Sequence, residues 1–353
     1  MKKTLLIACL SFFGLSFAQI PSNYYNGTEG LTGQALKNKL SDIITAGHLD
    51  KGYNWAVFTN SDRDKYYEKD NSLMDIYSEN PDGADPYNFS IPGDQCGTYK
   101  VEGDCYNREH TIPKYYFNDQ KPMYDDYHHL MPTDGKVNGM RNNYYYGEVK
   151  NATYTSKNGS KLGSSAVEGY SGTVFEPINE FKGDIARIYF YFVTRYQSKI
   201  PGFKDYMWTT SNYKNLKEPF LSMLIKWHEQ DPVSQYEIDR NNAVYDYQGN
   251  RNPFVDHPEW VAQIFGSILS VDDNGFSKNY KIAPNPAKSG STITVQGEGL
   301  AKYQKAYIFN LIGQKVQEID QPFKNGNTIT LKQLPKGIYI LKTNQLNTKF
   351  IVE

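Results

Sequence analysis

The spacing of apolar side chains changes once along this 353-residue chain, and that change restricts the available folds more than any other feature. Up to about residue 268 apolar positions recur at helical intervals, and beyond 279 they alternate as in strands. Residues 31–47 place Leu36, Leu40, Ile43 and Ile44 on one helical face, with Gly47 as the stop. Residues 178–197 form a strongly apolar helix expected at the centre of the core. Helices at 216–230 and 233–247 follow, divided by Asp231-Pro232 with Ser234 as cap, and a last one spans 258–268 from Pro258. Between 50 and 125 the chain is rich in Asp, Asn, Gly, Pro and Tyr, and only pieces such as 73–77 read as strand. Strands are expected at 279–283, 291–297, 305–312, 326–332, 337–343 and 348–352, with turns at Pro284-Asn285-Pro286, Ile312-Gly313 and Pro335-Lys336-Gly337. The expectation is an α+β chain, a mainly helical domain followed by a small all-β sandwich. Its divisions are residues 1–18, 19–270, a linker at 271–278, and 279–353.

Met1-Lys2-Lys3 and the apolar run over 4–17 ending in Ser16-Phe17-Ala18 predict a secretory signal peptide cleaved after Ala18. The run is too short for a membrane span, and no later segment is apolar enough for one. Of three cysteines, Cys9 lies in the leader, so Cys96 and Cys105 remain, in an oxidising compartment. A disulfide between them is expected, closing a short loop just before Arg108-Glu109-His110. A metal-binding pair is the alternative, disfavoured because no second Cys or His pair stands at zinc spacing. Residues 19–270 carry 25 basic and 33 acidic side chains, a net −8, whereas the tail from 271 carries +5. The acidic unit is not built for tight, purely electrostatic binding of nucleic acid, although a locally basic cleft or a bound cation offsets this.

The densest group of reactive side chains lies between Cys105 and Asn143: Glu109, His110, His128, His129, Asn138, Arg141 and Asn142. Phosphodiester hydrolysis needs a cation on the phosphate, a base for water, and positive charge for the developing oxyanion, and residues of each type are present. One carboxylate and one amide make a hard oxygen site with open positions, suited to Mg²⁺, with Ca²⁺ or Mn²⁺ as alternatives. On a strand Glu109 and His110 point to opposite faces, so both reach one site only if the strand end bends. A zinc peptidase is disfavoured, since two histidines four apart on a helix are missing and Pro113 opposes a helix.

Four motifs in order then resemble the bacterial endonuclease I family over about residues 30–265: Arg108-Glu109-His110-Thr111-Ile112-Pro113, Asp126-x-His128-x-Leu130-x-Pro132, Gly135-x-Val137-Asn138-Gly139-x-Arg141-x-Asn143, and Gln248-Gly249-Asn250-Arg251-Asn252-Pro253-Phe254. The resemblance implies a ββα-metal (His-Me finger) core in a secreted monomer. In it His110 is the general base, Glu109 and Asn138 hold the metal, and DNA or RNA is cut to leave 5′-phosphates. Only 29 positions separate Glu109 from Asn138, so the insert that carries a phosphate-stabilising arginine in some members is missing. Arg108, Lys114 and Arg141 are the candidates for that role, Asn142 is an alternative ligand one helical turn beyond Asn138, and His128 is a candidate substrate contact. The Gln248 to Phe254 segment also reads as simple helix capping and docking. The last 75 residues resemble the sorting domain of the type IX secretion system, through Ile282-Ala283-Pro284-Asn285-Pro286, Tyr307-Ile308-Phe309-Asn310 with Gly313-Gln314, Leu334-Pro335-Lys336-Gly337-Ile338-Tyr339 and Lys349-Phe350-Ile351-Val352. This implies export by that machinery. A catalytically dead module that binds nucleic acid on the same scaffold is the runner-up reading, and a secreted metallopeptidase a third.

Overall fold

The computed structural model describes residues 20–56, 58–203, 206–266, 280–310, 315–324, 326–343 and 346–353. The expected leader, the linker at 271–278 and the turn at Ile312-Gly313 lie outside them.

The first unit opens with α1 (Gly33–Ala46), in which Leu36, Leu40 and Ile44 are fully buried at four-residue spacing. Burial of side chains of this size is worth about 1.5–3 kcal/mol each. A short α2 (Phe58–Ser61) interrupts the irregular stretch that follows. The strand expected at 73–77 does not form. Leu73 bridges Arg63 alone, and the Asp75 carboxylate then accepts the amide protons of Tyr77 and Asp134, both at 2.9 Å, which turns the chain away from a ladder.

A hairpin of β1 (Tyr106–His110) and β2 (Leu130–Asp134) runs directly into α3 (Gly135–Arg141). Next come β3 (Tyr145–Tyr146), β4 (Val149–Thr155), β5 (Lys161–Ser165) and β6 (Thr173–Glu176), which form a four-stranded sheet in the order β3-β6-β5-β4. Sequence periodicity missed this sheet because β4 is an edge strand exposed along nearly its whole length, without apolar alternation. All fourteen residues of α4 (Lys182–Arg195) are buried, as expected for the central helix. Then come α5 (Glu218–Gln230), α6 (Gln235–Gln248), α7 (Pro253–Asp256) and α8 (Glu259–Phe265). Ser234 caps α6 through a complete capping box with Glu237, whose carboxylate also takes Arg187 of α4 at 2.5 and 2.7 Å. Among the described residues no helix is long and apolar enough to cross a membrane.

The second unit is all β. A three-stranded sheet contains β7 (Lys281–Ala283), β8 (Thr292–Gln296) and β11 (Thr328–Thr330). A four-stranded sheet contains β9 (Lys305–Asn310), β10 (Lys315–Asp320), β12 (Gly337–Lys342) and β13 (Asn347–Val352). Ile293 and Val295 from one sheet and Ile308, Leu341 and Phe350 from the other share one core, the inner faces of a sandwich. The unexpected strand, β10, is a charged edge whose Glu318 pairs with Lys305 and Lys315. Helix makes up 30% and strand 22% of the described residues, so the α+β class stands.

The first unit's packing surrounds buried neutral histidines. Burial pushes His128 down from its ordinary 6.5 to about 3, opposed by the nearby Asp126 carboxylate. The unfolded chain binds this proton more readily than the folded one, so the stability involved is complete above about pH 6.5 and is lost as pH falls toward 3. We predict that acidification from pH 7 to 5 costs the native chain about 2 kcal/mol relative to His128→Asn. Urea unfolding of both proteins at the two pH values checks this, and an unchanged gap would contradict it.

Candidate active site

The site is assembled on the hairpin and helix. A disulfide joins Cys96 to Cys105, with Cα atoms 5.7 Å apart, immediately before β1. The Cys96 amide donates to Tyr106 O at 3.1 Å, and the Tyr106 amide donates to Asp94 O at 2.9 Å, so the cross-linked loop is bonded to the strand it precedes. At the end of β2, Asp134 caps α3 by accepting the Val137 amide at 2.8 Å, and its second oxygen takes Gly103 N at 2.8 Å. The Tyr99 side chain lies against Gly135 and Gly139 of α3. A Cβ on Gly135 or Gly139 would stand 2.6 or 2.4 Å from it, which explains both glycines of that motif.

The hairpin ladder remains regular to its end, where His110 pairs with Leu130, so alternation separates the side chains of β1. Asn107 and Glu109 face α3. Asn138 Nδ2 donates to Asn107 Oδ1 at 2.7 Å, and one turn along, Arg141 Nη1 donates to Glu109 Oε1 at 2.6 Å. Tyr77 and Tyr146 donate to the same oxygen at 3.1 and 3.2 Å. Burial pushes the Glu109 carboxyl up, but the adjacent guanidinium, itself held charged by this carboxylate, keeps the pair ionised. The bonds converge on Oε1 and leave Oε2 outside the network. Asn138 uses its amide nitrogen and keeps its oxygen. One carboxylate oxygen and one amide oxygen on facing elements therefore fit a hard divalent cation with few protein ligands.

On the opposite face, Arg108 and His110 line a cleft of about 530 Å³ together with Tyr53, Trp55, Asn107 and Lys114. Tyr53 is inserted between the two: the Arg108 guanidinium lies 3.4 Å from its ring centre, and the His110 ring stacks 5.6 Å away at 19°. Arg108 is held further by Trp55, at 4.4 Å, and by a 3.0 Å bond from Nη1 to Tyr53 O. His110 Nε2 meets the Tyr124 carbonyl at 3.1 Å, and a carbonyl only accepts, so Nε2 carries the proton and Nδ1 keeps its lone pair. Burial, aided by the neighbouring His129, Lys114 and Arg108, pushes His110 down to about 3, so the imidazole is neutral at ordinary pH.

Several sequence expectations change. Arg141 is not available to a phosphate: it is buried, and its remaining bonds run to His110 O at 2.8 Å and Thr111 O at 2.6 Å. His128 is likewise structural, buried with Nε2 at 2.9 Å from Asn250 O and its ring against Tyr191. Asn142 does not continue the face of Asn138, because α3 ends at Arg141 and Asn142 is an exposed C-cap at φ 52°. The strand end does not bend to bring Glu109 into the cleft with His110; Asn107 links the two faces. Arg108 and Lys114 do reach the cleft, Lys114 half exposed and paired with Asp119 at 3.2 Å. Sequence reasoning missed Tyr53, Trp55 and Asn107. The Tyr53-Asn54-Trp55 pair of aromatics in an irregular segment was the available signal, but its contact with a residue 55 positions away is set by tertiary structure.

A short antiparallel hairpin runs directly into a helix, with a histidine on the hairpin and an asparagine on the helix. The chain belongs to the endonuclease I family, whose model, "Endonuclease I", matches residues 32–259. Residues 281–353 match "Secretion system C-terminal sorting domain", the type IX tail, and the protein is secreted. The chain is 33% identical over 250 residues to the "Extracellular ribonuclease" of Bacillus subtilis, covering 69% of this chain and 78% of that one. It is 31% identical over 139 residues to the "Endonuclease-1" of Buchnera aphidicola subsp. Baizongia pistaciae, covering 39% and 49%. It is 28% identical over 134 residues to the "Periplasmic deoxyribonuclease" of Aeromonas hydrophila, covering 38% and 48%.

Breaking one side of the Glu109–Arg141 pair strands a buried charge. Arg141→Met is expected to cost about 3–5 kcal/mol of stability. Denaturant titration of the oxidised protein measures this, and a cost below about 1 kcal/mol would show that the pair is not what fastens β1 to α3.

Proposed function

We propose that this nuclease hydrolyses phosphodiester bonds in both DNA and RNA with little sequence preference, His110 acting as general base and Glu109 with Asn138 holding Mg²⁺. The observation that carries the reading is the state of His110: neutral, with Nε2 committed to the Tyr124 carbonyl and the Nδ1 lone pair free of a proton, on the wall of a cleft that also holds Arg108 and Lys114. When bound, the metal ion supplies Lewis-acid polarisation of the phosphate and neutralises the departing 3′ oxygen. His110 Nδ1 accepts the proton of the attacking water, and the Tyr124 carbonyl stabilises the imidazolium that forms. Arg108, fixed by two aromatic faces, presents its remaining N–H groups to a phosphate without loss of side-chain freedom. Lys114 adds a mobile positive charge at the rim. Attack in line with the 3′ oxygen leaves a 5′-phosphate.

Support also comes from the relatives, one called a ribonuclease and another a deoxyribonuclease. We assign residues 19–270 to this activity and 279–353 to recognition by the type IX machinery, with 271–278 as the linker.

The mature protein with Mg²⁺ is expected to nick plasmid and degrade single-stranded RNA, and a chelator should stop both reactions. His110→Ala should lower kcat by about 10²–10⁴-fold with the fold retained. Failure to cleave either substrate, or cleavage indifferent to His110→Ala, defeats the proposal.

A further inference from the structure

The irregular stretch after α2 gathers three carboxylates that the reaction does not use. The Asp64 amide donates to Ser72 O at 2.9 Å and the Asn71 amide to Asp64 O at 3.0 Å, which closes a loop over residues 65–71. The Asp64 carboxylate organises that loop from within, accepting the amides of Tyr66 and Tyr67 at 2.9 Å and of Lys69 at 2.8 Å. Glu68 projects from the loop and Glu79 from the turn after Asp75. One oxygen from each of Asp64, Glu68 and Glu79 lies within 4.8 Å of the others. Glu79 is fully buried, and the carboxylate oxygens of Glu79 and Glu68 meet no N–H donor and no hydroxyl; the two carboxyl groups approach only each other. Among the described residues no lysine, arginine or histidine forms an ion pair with any of the three.

Unpaired buried charge is among the most costly arrangements a fold can contain, and natural structures satisfy it with a partner or a cation. Carboxylates bound to calcium at about 2.3–2.6 Å stand up to about 5 Å from one another, which accommodates the spacing found here. The donor set is all oxygen, from a flexible, irregular segment that tolerates calcium's variable geometry better than the strict octahedron of magnesium. The protein is secreted, into surroundings where calcium sites of modest affinity are filled. We propose that Asp64, Glu68 and Glu79 form a calcium site, separate from the cleft of His110, that fastens the 65–71 loop to the turn at Glu79.

The site predicts a reversal in stability order that a purely structural cluster would not give. For the mature full-length protein freed of metal by chelation, added CaCl₂ should raise Tm by several degrees, since calcium binds the folded chain alone. Glu79→Gln should be at least as stable as the native sequence in chelator, because the amide replaces a carboxyl that no cation then neutralises, and should gain almost nothing from calcium. Glu68→Gln, at the more open side of the cluster, should lose most of the calcium shift and decides the matter if Glu79→Gln does not fold. Calorimetric titration should show one calcium fewer per chain in either variant, while Mg²⁺-supported cleavage is kept. His110→Ala should keep the calcium shift even though cleavage is lost, which separates this site from the catalytic reading. No calcium-dependent rise in native Tm, or an equal rise in Glu68→Gln, overturns the proposal.

Discussion

The first unit depends on one buried ion pair. Arg141, at the end of α3, reaches back to Glu109 in β1 and to the carbonyls of His110 and Thr111, so a single guanidinium joins the helix to the strand that carries Glu109 and His110. Such a pair is a poor source of net stability, because removing two charges from water costs nearly what their attraction returns. Its value is in register. With Tyr77 and Tyr146 on the same oxygen, Glu109 has one orientation, and Asn138, one turn before Arg141, is set opposite Asn107. The placement of Glu109 and Asn138 thus follows from contacts within the protein alone.

A second buried carboxylate has the same function one layer deeper. Asp126 takes Arg195 and Tyr191 of α4 and the hydroxyl of Tyr196, and its other oxygen takes the His128 amide and Gln248 of α6. The Arg195 guanidinium holds it ionised against burial. The motifs around Asp126 and around Gln248 thus meet in the core as a docking network for α6 and the loop after it, not as substrate contacts. This is why two of the strongest sequence signals contribute nothing to the cleft.

The cleft itself is a local exception in an acidic unit. A net −8 gives little long-range attraction for nucleic acid, and the positive groups of the cleft are Lys114 and Arg108, whose planar group already rests on the Tyr53 and Trp55 rings. Preorganisation by Tyr53 and Trp55 substitutes for charge density. Alternation along β1 keeps Arg108 and His110 on the cleft side and turns Glu109 toward α3.

Helix periods, the Ser234 cap, the Asp231-Pro232 break, the cysteine pair and the alternation of residues 292–296 are local, each fixed by neighbours within one turn or one pleat, and they were legible in the chain alone. So was the ββα motif, because its residues occupy one short stretch. What burial and long-range contact decide was not. Arg141, His128 and Asn138 look alike as polar residues in a motif, and only packing shows that the first two are consumed by partners 32 and 122 positions away while the third keeps its amide oxygen. The sequence supplied the chemical groups. Tertiary structure determined which of them retain an unpaired lone pair or an exposed proton, since that depends on what the rest of the chain brings against them.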